Sequence, residues 1–214
     1  MNKIIIDNAL KFVRNTFNDD YSGHDYFHTL RVYKMAARIA EQENANLIIV
    51  QLAALLHDVD DIKLSPDTYV NKDRAVNFLR KQGISEAMIK TICNIIGEVS
   101  FRGTDSTTPE TIEGKCVQDA DRLDAMGAIG IARAFAYGGN HNRIIYDPEI
   151  KPTVTMNADK YQSHISTTVN HFYEKLFQLK DLMNTDTAKK IAGHREDYMK
   201  IYIAEFLDEW DGIR

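Results

Sequence analysis

Apolar residues recur at spacings of three and four along almost the whole chain, and strand-like alternation is scarce. This pattern predicts helices near 2–18, 26–43, 46–58, 70–82, 85–98, 113–137, 158–182 and 185–209. Gly83 is placed to stop one helix, and Ser85 to cap the next. "NADKYQ" and "NTDTAKK" read as two further helix starts. Two stretches resist helix: "SFRGTDSTTPET" (100–111), read as a polar loop, and residues 137–157, which could hide a short hairpin. A loop as long as the second usually carries function or is disordered. The expected fold class is all-α, with no repeat and no linker that would split the chain.

The 214 residues suffice for a real core, and 44% apolar with 27% charged residues is a globular balance. A net charge of −5 argues against a general nucleic-acid partner, which needs a basic surface, but leaves room for a small anionic substrate held by local charge. Cys93 and Cys116 form no CxxC pair and are read as reduced core thiols. The first twelve residues resemble an amphipathic helix rather than a signal peptide. "LIIVQLAALL" is too short to cross a bilayer, so no membrane partner and a cytoplasmic location are expected.

Chemistry concentrates in three places. His28 opens a helix, and Arg31 follows three residues later on the same face. "LAALLHDVDD" runs from five apolar residues into His57, Asp58, Asp60 and Asp61. Carboxylates are disfavoured at a helix C-terminus, so this cluster calls for a compensating cation, helped by Lys63. In "CVQDADRLDAMGAIGIARA", Cys116, Ala120, Leu123, Gly127 and Gly130 form a small apolar stripe. Asp121 and Asp124 flank it, and Asp119 is expected to face away. A salt bridge to Arg122 or Arg133 is the simplest structural use of such a carboxylate.

Two imidazoles with two or three carboxylates suit one divalent metal ion, Mn²⁺ first and Mg²⁺, Ni²⁺, Co²⁺ or Fe²⁺ as alternatives, better than structural zinc with its thiolates. Asp61, four residues after His57, could share its face and act as general base; Asp61 and Lys63 are the catalytic candidates. Tyr26, Phe27, Phe101, Tyr137 and Phe172 could stack on a base, with core packing their plainer use.

The order His28, "HD" at 57–58 and the aspartate of "ADRL" resembles the H…HD…D pattern of the HD-domain phosphohydrolases. The similarity to a small bacterial subfamily extends through "HTLRVYKMA", "ALLHDVDDIK", "DADRLDAMGAIGIARAFAYGG", "NHFYEKLFQLKDLMNT" and "EFLDEW". The resemblance implies a single HD-type helical bundle over 1–214, with its metal-binding core about 20–135 and helices 158–210 packed on it. It also implies His28, His57, Asp58 and Asp121 as metal ligands, with Asp124 supporting them. Arg31 lies close to these ligands; Lys175, Lys180 and Arg195, inside the family-like segments, join it as substrate-binding candidates.

The activity so implied is cleavage of nucleoside triphosphates to monophosphate and pyrophosphate, by a monomer or homodimer. A nucleoside monophosphatase, an alarmone hydrolase and a non-catalytic metal- or nucleotide-sensing module are the competing readings. Residues 59–120 lack the two extra histidines of dinuclear HD phosphodiesterases, which argues for one metal. Glu98 and Ser100 fall roughly where those histidines would be.

Overall fold

A computed structural model describes residues 2–17, 25–61, 67–99, 107–153 and 166–214. Among the described residues every regular element is helical, as the periodicity predicts. The chain divides into two compact units, and the division falls between Asp121 and Arg122.

The first unit is built around α3 (Leu47–Leu56), with α1 (Asn2–Thr16), α2 (Tyr26–Gln42) and α5 (Glu86–Val99) packed against it. α3 is apolar on nearly every face, so it can be stable only when surrounded. Val50 and Leu52 through Leu56 are fully buried. α4 (Asp73–Lys81) packs on α5, and Phe78 stacks on Phe12 of α1 with ring centroids 4.8 Å apart. Local chemistry sets the helix starts. Asp25 caps α2 by accepting from the His28 amide at 2.6 Å, and Asn46 caps α3. Gly83 takes φ +72° after α4, and the Ser85 hydroxyl accepts from Met88 N, so both act as the sequence predicts.

α6 (Ile112–Asp124) enters the second unit, which continues with α7 (Gly127–Asn140), α8 (Thr168–Glu174), a 3₁₀ segment (Leu176–Leu182) and α9 (Asp186–Trp210). α9 packs on α7 and on the 3₁₀ segment, and Phe135, Phe172, Tyr202 and Phe206 form an aromatic cluster between these elements. Thr185 caps α9, accepting from Ala188 N at 3.2 Å, in agreement with the start read at "NTDTAKK". The "NADKYQ" start lies outside the described residues.

Three expectations are corrected. The helix read over 113–137 is two helices, because the chain turns at Ala125–Met126 and Gly127 takes φ +71°. A side chain at Gly127 would meet Arg195 Cγ at 3.0 Å, and one at Gly130 would run into the Ala125 carbonyl. The glycines of the supposed packing stripe therefore make the turn instead. The helix read over 158–182 breaks at Lys175 into α8 and the 3₁₀ segment. α7 also runs on to Asn140, into the stretch read as loop; beyond it, 141–153 form turns without regular structure.

Replacing Gly127 by alanine forces a Cβ into a left-handed backbone. It should cost about 1–2 kcal/mol, measured as a lower urea midpoint at unchanged slope. An unchanged midpoint would remove the turn as a constraint on the fold.

Candidate metal centre

His28 sits in the first turn of α2, held by the Asp25 cap, and is 1% exposed. His57 and Asp58 follow the last residue of α3, the end of the most buried helix in the unit. Asp121 lies on α6. Their side chains converge. His28 Nε2 is 3.5 Å from Asp58 Oδ2 and 3.4 Å from Asp121 Oδ1. His57 Nε2 is 3.1 Å from Asp58 Oδ2 and 3.9 Å from Asp121 Oδ1. The donor atoms of His28, His57 and Asp58 all lie within 4.8 Å of one another.

The tautomer of His57 sharpens this geometry. Its Nδ1 is 2.8 Å from the Ala54 carbonyl, which can only accept, so Nδ1 carries the proton. Nε2 then presents either a lone pair or a second proton to the carboxylates. A lone pair 3.1 Å from a carboxylate oxygen is repulsive, and a cation between them removes the repulsion. A backbone carbonyl orienting the far nitrogen is also how ligating histidines are commonly held. Two nitrogens and two carboxylate oxygens, with no thiolate, fit a divalent ion of intermediate or hard character.

The charges respond in kind. Burial alone would push the His57 imidazolium down, but Asp58, with Asp121 helping, outweighs it and holds His57 above its usual 6.5, against the opposition of His28. Burial would raise the Asp121 carboxyl, yet the hydrogen bond from His28 and the positive fields of His57 and His28 hold it below its usual value.

The acidic run after His57 has a divided use. Asp60 is 1% exposed, and its carboxylate accepts from the Arg74 amide at 3.1 Å and the Ala75 amide at 2.9 Å. The positive end of α4 thus answers this charge, and a cation is needed only for the rest. The sequence pattern missed this, because the partner amides are 14 and 15 residues away. Asp61 lines a cleft shared by His57, Asp60, Tyr69, Lys72, Ile96 and Gly97. Tyr69 and Lys72 carried no motif that would have singled them out. Lys63 lies outside the described residues, as do Ser100 and Phe101.

The remaining candidates scatter. Arg31 is half-buried on α2, one turn after His28. In the second unit Lys180 is paired with Glu196 at 2.7 Å, and Arg195 donates to the Leu123 carbonyl at the α6–α7 turn. Both side chains therefore have a structural use beside the substrate-binding one expected of them. Lys175 closes α8. Asp124 pairs with Arg133 at 2.6 Å, the structural alternative foreseen for it. Asp119 is buried, as are its neighbours from Cys116 through Ala120. Glu98 lies near Glu110 and Gly114; burial, with the Glu110 charge, raises its carboxyl. Phe172 is core, whereas Phe27 and Tyr137 are exposed.

The HD-domain family model matches residues 25–126, the span that holds all four converging side chains. The chain is 38% identical to YpgQ of Bacillus subtilis over 204 residues, which is 94% of this chain and 92% of YpgQ. A Lactobacillus plantarum protein superposes with a TM-score of 0.83 at 38% identity, covering 98% of both chains. An HD-superfamily hydrolase from Bacillus thuringiensis gives 0.80 at 42%, covering 99% of both. YpgQ in its crystal structure with ADP gives 0.77 at 38%, covering 98% of this chain and 100% of its own. The chain belongs to the HD superfamily of hydrolases. HD domains bind divalent metals, and His28, His57 and Asp58 form a group able to hold one. Among the described residues no helix is long and apolar enough to cross a membrane.

Because His57 is raised, a cation must displace its proton. In metal-free protein the protonated ring stabilises the fold below the unfolded value of 6.5, and that contribution fades as pH rises through the folded value. Metal binding runs the other way. The increment in melting temperature produced by Mn²⁺ should therefore grow between about pH 6 and 8, measured by scanning fluorimetry against a chelator-treated control. A flat or falling increment would take His57 out of the coordination shell.

Proposed function

We propose that this protein is a metal-dependent phosphohydrolase acting on nucleotides, and that it cleaves nucleoside triphosphates between the α and β phosphates. The observation that carries the reading is the convergence of the His28 and His57 nitrogens with the Asp58 and Asp121 oxygens beside a cleft that Asp61 lines. These four side chains would hold one divalent ion. The crystal structure of YpgQ with ADP supports a nucleotide as the ligand class.

The ion when bound supplies Lewis acidity at a phosphoryl oxygen and makes water a better nucleophile at neutral pH. His28 and Asp121 would fix its position, the first through its anchored place on α2. Asp61 accepts a proton as the water oxygen forms its bond to the α phosphorus. The bond from that phosphorus to the α–β bridging oxygen breaks, and its electron pair leaves with pyrophosphate. Arg31, on the helix that carries His28, neutralises charge on the substrate phosphates. Asp60 takes no part in proton transfer, because its carboxylate is held on the amides of α4.

The reaction is tested by incubating metal-stripped protein with nucleoside mono-, di- and triphosphates plus Mn²⁺ and resolving the products by phosphorus NMR, beside Asp58→Ala. Monophosphate and pyrophosphate from triphosphates, lost in Asp58→Ala together with the metal, is the expected result. Orthophosphate from monophosphates alone would move the activity to a nucleotidase. Asp61→Asn should lower turnover roughly 10²–10⁴-fold with metal content unchanged, measured by elemental analysis of the same preparation. Loss of metal along with activity would instead place Asp61 among the ligands.

A further inference from the structure

Lys72 stands out in the cleft beside His57. It is not glycine, yet its backbone takes φ 55° and ψ 40°, in the left-handed region. Strain of this kind costs energy and persists where the surroundings demand it. Its ammonium donates to the Tyr69 carbonyl at 2.6 Å and sits 3.9 Å over the Tyr69 ring. Among the described residues no carboxylate forms an ion pair with it. The cleft is lined by two carboxylates besides, and one of them, Asp60, is already answered by the α4 amides.

An ammonium has three donors, and one is spent on the Tyr69 carbonyl. Lys72 lines the cleft shared with His57, and its other two donors remain for an anion. The Tyr69 ring holds the cation in place through its face without neutralising it. This is a cation fixed in position and kept available for an anion. The turn that leads into α4 forces the left-handed backbone, and the two contacts to Tyr69 aim the side chain.

We propose that Lys72 binds the leaving pyrophosphate, contacting the β or γ phosphate of a bound nucleoside triphosphate. The proposal rests on the phosphohydrolase reading above and supplies the cation that the cleft needs beside Asp61. It gives Lys72, a residue outside every recognisable motif, the part of a substrate-binding group. Its contribution is to bind the triphosphate and to stabilise charge that grows on the bridging oxygen as the bond breaks.

The test compares wild type with Lys72→Gln, Lys72→Arg and Lys72→Gly, each loaded with Mn²⁺, using inorganic pyrophosphate as the probe in titration calorimetry. Glycine accepts the left-handed backbone, so Lys72→Gly removes the charge while relieving the strain and should melt at or above the wild-type temperature. Lys72→Gln and Lys72→Gly should both weaken pyrophosphate binding roughly ten- to a hundredfold, and Lys72→Arg should restore part of it. Metal content and the affinity for a nucleoside monophosphate should be unchanged. Pyrophosphate affinity within twofold of wild type in the well-folded Lys72→Gly, or no pyrophosphate binding by wild type, overturns the assignment. Weakened pyrophosphate binding in a protein that turns over no triphosphate would leave the Lys72 site standing and remove the proposed reaction alone.

Discussion

Two buried imidazoles face two carboxylates across gaps of 3.1 to 3.9 Å, and the electrostatics of that meeting govern the first unit. Burial strips the two imidazoles and Asp58 of water, and a carboxylate in a protein interior is costly unless something positive answers it. In the absence of a metal ion, Asp58 and Asp121 hold the His57 imidazole above its usual value, and the Asp121 carboxyl lies below its own. A divalent cation answers both carboxylates and also relieves the lone-pair conflict at His57 Nε2. The Ala54 carbonyl fixes the proton on the far nitrogen and so leaves the near one for coordination. The site is therefore a place where the fold has concentrated negative charge and arranged for its neutralisation.

The packing explains how that concentration is held. α3 is too apolar to exist except as a central helix, and its end delivers His57 and Asp58 into the interior. α2 is pinned at its first turn by Asp25, directly at the His28 amide. The chain then leaves the centre through Asp60, which is bonded to the start of α4. That bond has two effects: it neutralises a buried carboxylate, and it fixes the turn that places Tyr69 and Lys72 beside the same cleft. Within the run 58–61, Asp58 thus faces the histidines while Asp60 is held on the amides of α4.

Much of the site was legible in the sequence because it follows local rules. Helical periodicity located the elements, and the caps at Ser85 and Thr185 followed from residue type alone. His57 and Asp58 were conspicuous because three carboxylates after an apolar helix contradict the helix dipole. His28 and Asp121 were harder. Each alone is an ordinary polar residue on a helix, and the motif order of a known family singled them out. Spacing could not separate Asp121 from Asp124; the structure separates them by giving Asp124 to Arg133 and turning Asp121 toward the histidines.

What the sequence by itself determined is what depends on neighbours a few residues apart: the all-helical class, the capped helix starts, and the supply of nitrogen and oxygen donors in place of thiolates. Only the tertiary structure decided which charges are available. Asp60 is held on amides 14 and 15 residues away, Lys180 pairs with Glu196, and Arg195 donates to the Leu123 carbonyl. Lys72 keeps its charge in the cleft. A side chain's identity gives its charge, but whether that charge is satisfied depends on partners the folded chain brings from far away. The break at Ala125–Met126 is of the same kind. Gly127 permits a left-handed turn, but the crowding of Arg195 against it, from an element almost seventy residues later, decides that nothing larger fits.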